Sequence, residues 1–164
     1  MSNDYKLIPY GISDLDDAFD DAALHGDWKP LVSFICQAYH DTTAVRQLIE
    51  GGRNLQGFMN AYLTLTNYYL VAPEMEFSHG FCDFFLLPNY AVYPMVKHSY
   101  ILELKYLKTD ATEAEAEKQW AEAVAQIKTY SADKKLRSML HGTQLHPIIV
   151  QMKGYDLVRF EEQL

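Results

Sequence analysis

Cysteine is scarce: the 164-residue chain holds only Cys36 and Cys82. Two thiols cannot build the disulfide framework of a small secreted protein, and they read as buried thiols of a reducing, cytoplasmic compartment. No apolar run approaches the ~18–20 residues a helix needs to cross a bilayer. The N-terminus lacks a basic segment followed by an apolar one, so no signal peptide is visible. Also missing are the Gly-x-x-x-x-Gly-Lys-Ser/Thr phosphate loop, any Cys-x-x-Cys pair and any His-Glu-x-x-His spacing. Basic residues are few, 14 against 22 acidic, for a formal net charge of −8. At face value that balance disfavours a nucleic-acid partner. What is plentiful is apolar: 49% of residues are hydrophobic and 13% aromatic, against 22% charged, which excludes a disordered tail. The length implies one compact domain that buries about two thirds of its unfolded surface, so its core needs no covalent or metal staple.

The acidity is local. Residues 1–96 carry four basic and twelve acidic side chains, seven of the acids within the first 27 residues, whereas residues 97–164 carry ten of each sign. The global charge is therefore a poor guide to any one surface.

Ser13-Asp14-Leu15-Asp16 carries a helix-capping signal, and Leu15, Ala18, Phe19, Ala22 and Ala23 form one apolar face ending at Gly26. A second helix is predicted from Trp28, with Pro30 in its first turn, to Tyr39, and a third from Thr42 or Thr43 to Ile49. A longer one is predicted from Asn54 to Leu70 on the 3.6-residue spacing of its apolar positions. After Pro73 the pattern changes to short runs, Glu74–Phe77, Phe81–Leu87 and Tyr100–Tyr106, separated by turn signals. Thr112-Glu113-Ala114-Glu115 is a capping box opening a helix to Tyr130, and Glu113, Glu115, Glu117 and Glu122 read as its solvent face. A short helix over Lys134–Leu140 and a hairpin of His146–Met152 with Tyr155–Phe160 complete the chain. Helices, three strands, a helix, then strands predict an α/β sandwich with a mixed sheet.

One strand carries chemistry. In Tyr100-Ile101-Leu102-Glu103-Leu104-Lys105-Tyr106, Glu103 and Lys105 share a face with Ile101, while Leu102 and Leu104 face the other way. Burying a carboxylate and an ammonium there is costly unless they are paired or bound to something. Asp83 sits similarly in the preceding strand, and a hairpin would let it converge with Glu103. Two such carboxylates suit Mg²⁺ or Mn²⁺, with a lysine beside them to orient or deprotonate water, as phosphodiester hydrolysis requires. An ion pair on a half-exposed strand, with Asp83 as a turn residue, accounts for the same spacing equally well.

The order Gly80-Phe81-Cys82-Asp83, Glu103-Leu104-Lys105 and Gln126-Ile127-Lys128-Thr129-Tyr130 resembles the PD-(D/E)XK nuclease superfamily. It looks most like the C-terminal nuclease-like domain of bacterial AAA-ATPase-like proteins. The resemblance covers roughly Arg53 to Phe160. It implies a restriction-endonuclease-like three-layer α/β core, a mixed β-sheet flanked by helices, with extra N-terminal helices. It further implies that Asp83 and Glu103 bind the metal, that Lys105 is the catalytic lysine, and that Glu76, a better candidate than Glu74, joins them. Gln126 and Tyr130, one helical turn apart on one face, match the Gln-x-x-x-Tyr motif of the exonuclease-like branch. Related domains usually carry an arginine where Phe81 stands, so a phosphate contact is lost there.

By this resemblance residues 1–52 form a helical connecting segment and 53–164 the nuclease-like domain. The chain is then expected to be a piece of a longer protein whose N-terminal ATPase-like module is missing here. Nucleic acid, DNA before RNA, is the expected partner. Lys128, Lys134, Lys135 and Arg137 form the one basic cluster, suited to phosphates but equally to a solvated helix face. A catalytically idle binding module on the same fold is the alternative. The six histidines show no metal spacing, His79 reads as a loop residue, and Tyr62, Tyr68 and Tyr69 as core or interface.

Overall fold

The structure, a computed structural model, describes residues 12–42, 52–77 and 80–163. The helix predicted from Thr42 or Thr43 to Ile49 lies outside the described residues beyond Thr42, which caps the helix over Lys29–Asp41, and the loop histidine His79 and the side chain of the capping residue Ser13 lie outside them as well. Three helices come first: α1 (Ile12–His25), α2 (Lys29–Asp41) and α3 (Gly52–Leu63). Then follow strands β1 (Tyr69–Phe77), β2 (Gly80–Pro88) and β3 (His98–Leu107), helices α4 (Glu113–Ser131) and α5 (Lys134–Met139), and strands β4 (Gln144–Lys153) and β5 (Asp156–Glu162). The five strands form one sheet in sequence order, antiparallel except for the β3–β4 pair that α4 and α5 connect. The mixed α/β sheet flanked by helices is as the sequence predicts.

One boundary differs. The helix predicted to Leu70 ends at Leu63, and Tyr69 and Leu70 already belong to β1. Leu65 and Thr66 close tighter i→i−3 bonds to Tyr62 and Leu63, and the Thr64 hydroxyl donates back to Asn60. Tyr69, Leu70 and Val71 then pair with Pro88, Leu87 and Leu86. The apolar spacing fits either state, and cross-strand pairing decides it. β1 also runs through Pro73, which is tolerable because β1 is an edge strand whose outer side needs no ladder donor.

The sheet has two covered faces. On one, Leu15, Phe19, Ile35, Tyr39 and Met59 of α1–α3 bury against Phe84, Leu86, Tyr100, Leu102 and Val150. On the other, Trp120, Ala123, Ile127 and Tyr130 of α4 bury against Cys82, Phe85, Ile101 and Ile149. The capping box forms as predicted, with Thr112 Oγ1 accepting from Glu115 N and the Glu115 carboxylate accepting from Thr112 N.

The α1–α2 corner is tied to the sheet by polar contacts. Trp28 Nε1 and His146 Nδ1 both donate to Glu162 Oε1 at 2.9 Å. His146 is thereby left with Nε2 as its acceptor, and His98 Nδ1 donates to it across 2.8 Å. Tyr100 stacks on His146, and its hydroxyl donates to the Ala22 carbonyl. Gly26 fits the corner for two reasons: its φ is +69°, and a Cβ there would lie 2.7 Å from His98 Cε1.

Candidate active site

Strand alternation builds the site. On β3, Ile101 packs under α4 while Tyr100 and Leu102 pack under the other layer, so Glu103 and Lys105 face α4. On β2, Phe85 and Leu87 face α4, which puts Asp83 on that side as well. Alternation then slips, because Cys82 also packs under α4. The neighbouring strand slips at the same level: Ala72 and Met75 both lie on the α4 side, and Glu74 between them has a φ of 52°. A left-handed glutamate costs of order 1–2 kcal/mol, a local strain concentrated beside Asp83.

The β2–β3 ladder ends at Phe84↔Leu102. Continued by one step, its register sets Asp83 opposite Glu103. There the Asp83 side chain replaces the ladder: Oδ2 accepts the Leu104 N–H at 2.7 Å. The β1–β2 register likewise leaves Glu74 opposite Asp83, between Pro73↔Phe84 and Met75↔Cys82. Three carboxylates thus stand at one level across three adjacent strands.

Glu103 is 5% exposed. Its Oε1 lies 3.1 Å from the Lys105 ammonium, and its Oε2 is buried with no hydrogen-bond partner. Burial first, and Asp83 second, push the Glu103 carboxyl up to about 7, with Lys105 opposing. Burial also raises the Asp83 carboxyl and Glu74 adds to this, while the Leu104 N–H and Lys105 oppose it. Lys105 Nζ makes a second bond, donating to Gln126 Oε1 at 2.9 Å. Tyr130 lies over the start of β2, where a Cβ on Gly80 would sit 3.3 Å from its hydroxyl. Burial and then Glu103, Cys82 and Asp83 raise its phenol, so the same charges reach it.

Asp83, Glu103, Lys105, Gln126 and Tyr130 are therefore brought together. Glu76 is not: beyond the slip Met75 and Phe77 face α4, so Glu76 turns to the opposite face and is exposed. Its carbonyl accepts from Lys135 Nζ at 3.1 Å. The β1 carboxylate that acts on Asp83 is Glu74, which the slip keeps beside Asp83 while turning Glu76 away. The basic cluster also divides. Lys135 reaches β1, whereas Lys128 and Arg137 line a cavity of about 370 Å³ with Leu145, Pro147 and Gln163. Lys134 is exposed at the start of α5.

Among the described residues no three His, Cys, Asp or Glu side chains gather into a ready metal cluster. The buried Glu103 and half-buried Asp83 carboxylates still fit a hard divalent cation. Their donors are oxygen only, and the orphaned Glu103 Oε2 lacks the partner that a buried carboxylate oxygen requires. Cys82 is no competitor, since its thiol donates to the Phe84 carbonyl and burial raises it far above its ordinary range.

A mixed sheet carrying an aspartate on one central strand and Glu-x-Lys on the next, both beneath one helix, defines a nuclease-fold domain. A model of the PD-(D/E)XK nuclease superfamily matches residues 50–162, and the chain belongs to that superfamily. No curated protein and no solved structure matches the chain. Among the described residues no helix is long and apolar enough to cross a membrane.

Proposed function

We propose that this chain is a metal-dependent nuclease that hydrolyses nucleic-acid phosphodiester bonds, with DNA as its substrate and Mg²⁺ or Mn²⁺ held by Asp83 and Glu103. The observation that carries this reading is Glu103: buried, with one oxygen on Lys105 and the other without a donor. A buried carboxylate oxygen left without a donor is expensive in a purely structural role. When bound, the divalent ion supplies positive charge against the phosphoryl oxygens and acidifies water.

Lys105 is held between Glu103 and Gln126, so its ammonium has a fixed direction from which to orient the attacking water and offset charge on the phosphoryl group. Asp83 is kept rigid by the Leu104 N–H. Glu74, rather than Glu76, is the third carboxylate, acting on Asp83. Tyr130 closes the β2 side of the site, and Lys135 is the basic residue anchored on that side. Residues 1–52 are read as the connecting segment to an ATPase-like module in a bacterial, cytoplasmic protein, which would bring further contacts to the substrate.

The test is incubation of the protein with single- and double-stranded DNA and Mn²⁺ beside Lys105→Ala. Cleavage by the wild type alone supports the reading; equal cleavage in both samples marks contamination and overturns it. A second reading, an idle binding module, is favoured by Phe81, 59% exposed where related domains carry an arginine. On that reading the wild type binds DNA without cutting it.

A further inference from the structure

Gln151 is an amide within the apolar run Ile148–Met152 of β4, 2% exposed, and it pairs in register with Lys105. A buried amide must find its hydrogen bonds, and Gln151 spends its donors on α4. Its Nε2 donates to Gln119 Oε1 at 2.9 Å and to the Ala116 carbonyl at 3.0 Å. Gln119 passes the contact on, its Nε2 donating to the Tyr106 carbonyl of β3 at 2.9 Å. A closed path thus runs from β4 through α4 to β3, ending one residue from Lys105.

Gln119 stands two turns before Gln126, on the same stripe of α4. The apolar contacts of Trp120, Ala123 and Ile127 hold the helix down, but apolar attraction is non-directional and permits small rotations or slides. The amide pair is directional and does not. A helix freed from it would carry Gln126 off the Lys105 ammonium.

We infer that Gln151 and Gln119 are positioning residues: together they fix α4 against β3 and β4 so that Gln126 holds Lys105 beside Glu103. The bearing on catalysis rests on the nuclease reading above; the anchoring of Gln126 does not.

Two variants test it. Gln151→Leu removes the buried amide. Gln119→Glu keeps an acceptor for Gln151 but sets an oxygen against the Tyr106 carbonyl in place of the donor, so it breaks the β3 end of the path alone. Side-chain amide resonances of Gln126 are followed by NMR, with Lys105→Ala as the reference for a released Gln126. Melting temperature and Mn²⁺-dependent cleavage are measured in parallel. The expected result is that the Gln126 signals of both variants move toward their Lys105→Ala positions. The double variant should move them no further than Gln151→Leu alone, and kcat should fall about 10- to 100-fold with KM unchanged. Unmoved Gln126 signals in folded Gln119→Glu protein, whatever the loss in melting temperature, overturn the inference. If the wild type does not cleave, the nuclease reading fails and the Gln126 signals alone decide the anchor.

Discussion

Two glutamates within this fold are treated in opposite ways. Glu162, at the end of β5, takes two donors on one oxygen, from Trp28 and His146, and His98 extends the chain. Glu103, on β3, is more deeply buried and has a single ion-pair partner and an oxygen with none. The first carboxylate is consumed by the fold, joining the α1–α2 corner to β3, β4 and β5. The second is withheld from it. Groups that a fold leaves unsatisfied at a cost are the ones to suspect of function.

The largest expected effect separates the two sites by activity. Lys105→Ala should lower Mn²⁺-dependent cleavage by about 10²–10⁴-fold in a gel assay with a labelled oligonucleotide, the range for losing one positioned proton-handling group. Glu162→Ala should leave the cleavage step intact and lower stability instead. It orphans the Trp28 and His146 donors, at about 1–3 kcal/mol each, read as a loss in denaturant midpoint. Glu103→Gln should do the reverse. Removing the buried charge should raise stability by about 1–3 kcal/mol at pH 8 while abolishing both cleavage and any Mn²⁺-induced rise in melting temperature. A Glu103→Gln protein destabilised like Glu162→Ala would erase the distinction.

The smallest effect is in pH dependence, where the two regions pull in opposite senses. Burial raises the Glu103 carboxyl from 4.5 to about 7, so the folded state binds its proton more tightly than the unfolded chain does. That contribution is full at low pH and is lost as pH rises from 4.5 through about 7 in metal-free protein. His98 is lowered from 6.5, by burial first and then by His146 and His25, against the opposing charge of Glu162. Its contribution is full above 6.5 and is lost as pH falls below that value. In melting curves from pH 4.5 to 8.5 the two slopes should oppose each other below pH 6.5, and Glu103→Gln should remove the decline toward pH 7 and leave the rise that His98 gives.

The legible parts of the site were those that obey one local period. Glu103 and Lys105 share a face because strands alternate, Gln126 and Tyr130 because helices repeat, and the box at Thr112 is written in four consecutive residues. A regular β1 would place Glu74 and Glu76 on one face, and the left-handed Glu74 separates them, which alternation alone does not announce. The helix end at Leu63 was hidden because Tyr69 and Leu70 fit a helical stripe until Leu87 and Pro88 are there to pair with them. Gln151 did leave a trace, a lone amide in an apolar strand, the same signal that picked out Glu103. Its partner Gln119 and the His98–His146–Glu162 chain are contacts between distant segments, which no local spacing announces.

The kink at Glu74 has a consequence outside the site. β1 is an outer strand, and a straight outer strand offers its free N–H and C=O groups to any other chain that can align with them. Here that row is interrupted by Pro73, which has no N–H, bent at Glu74, and flanked by the exposed charge of Glu76. The kink that sets Glu74 beside Asp83 therefore also makes this edge a poor template for aggregation, so straightening it, for instance by Glu74→Val, should endanger solubility.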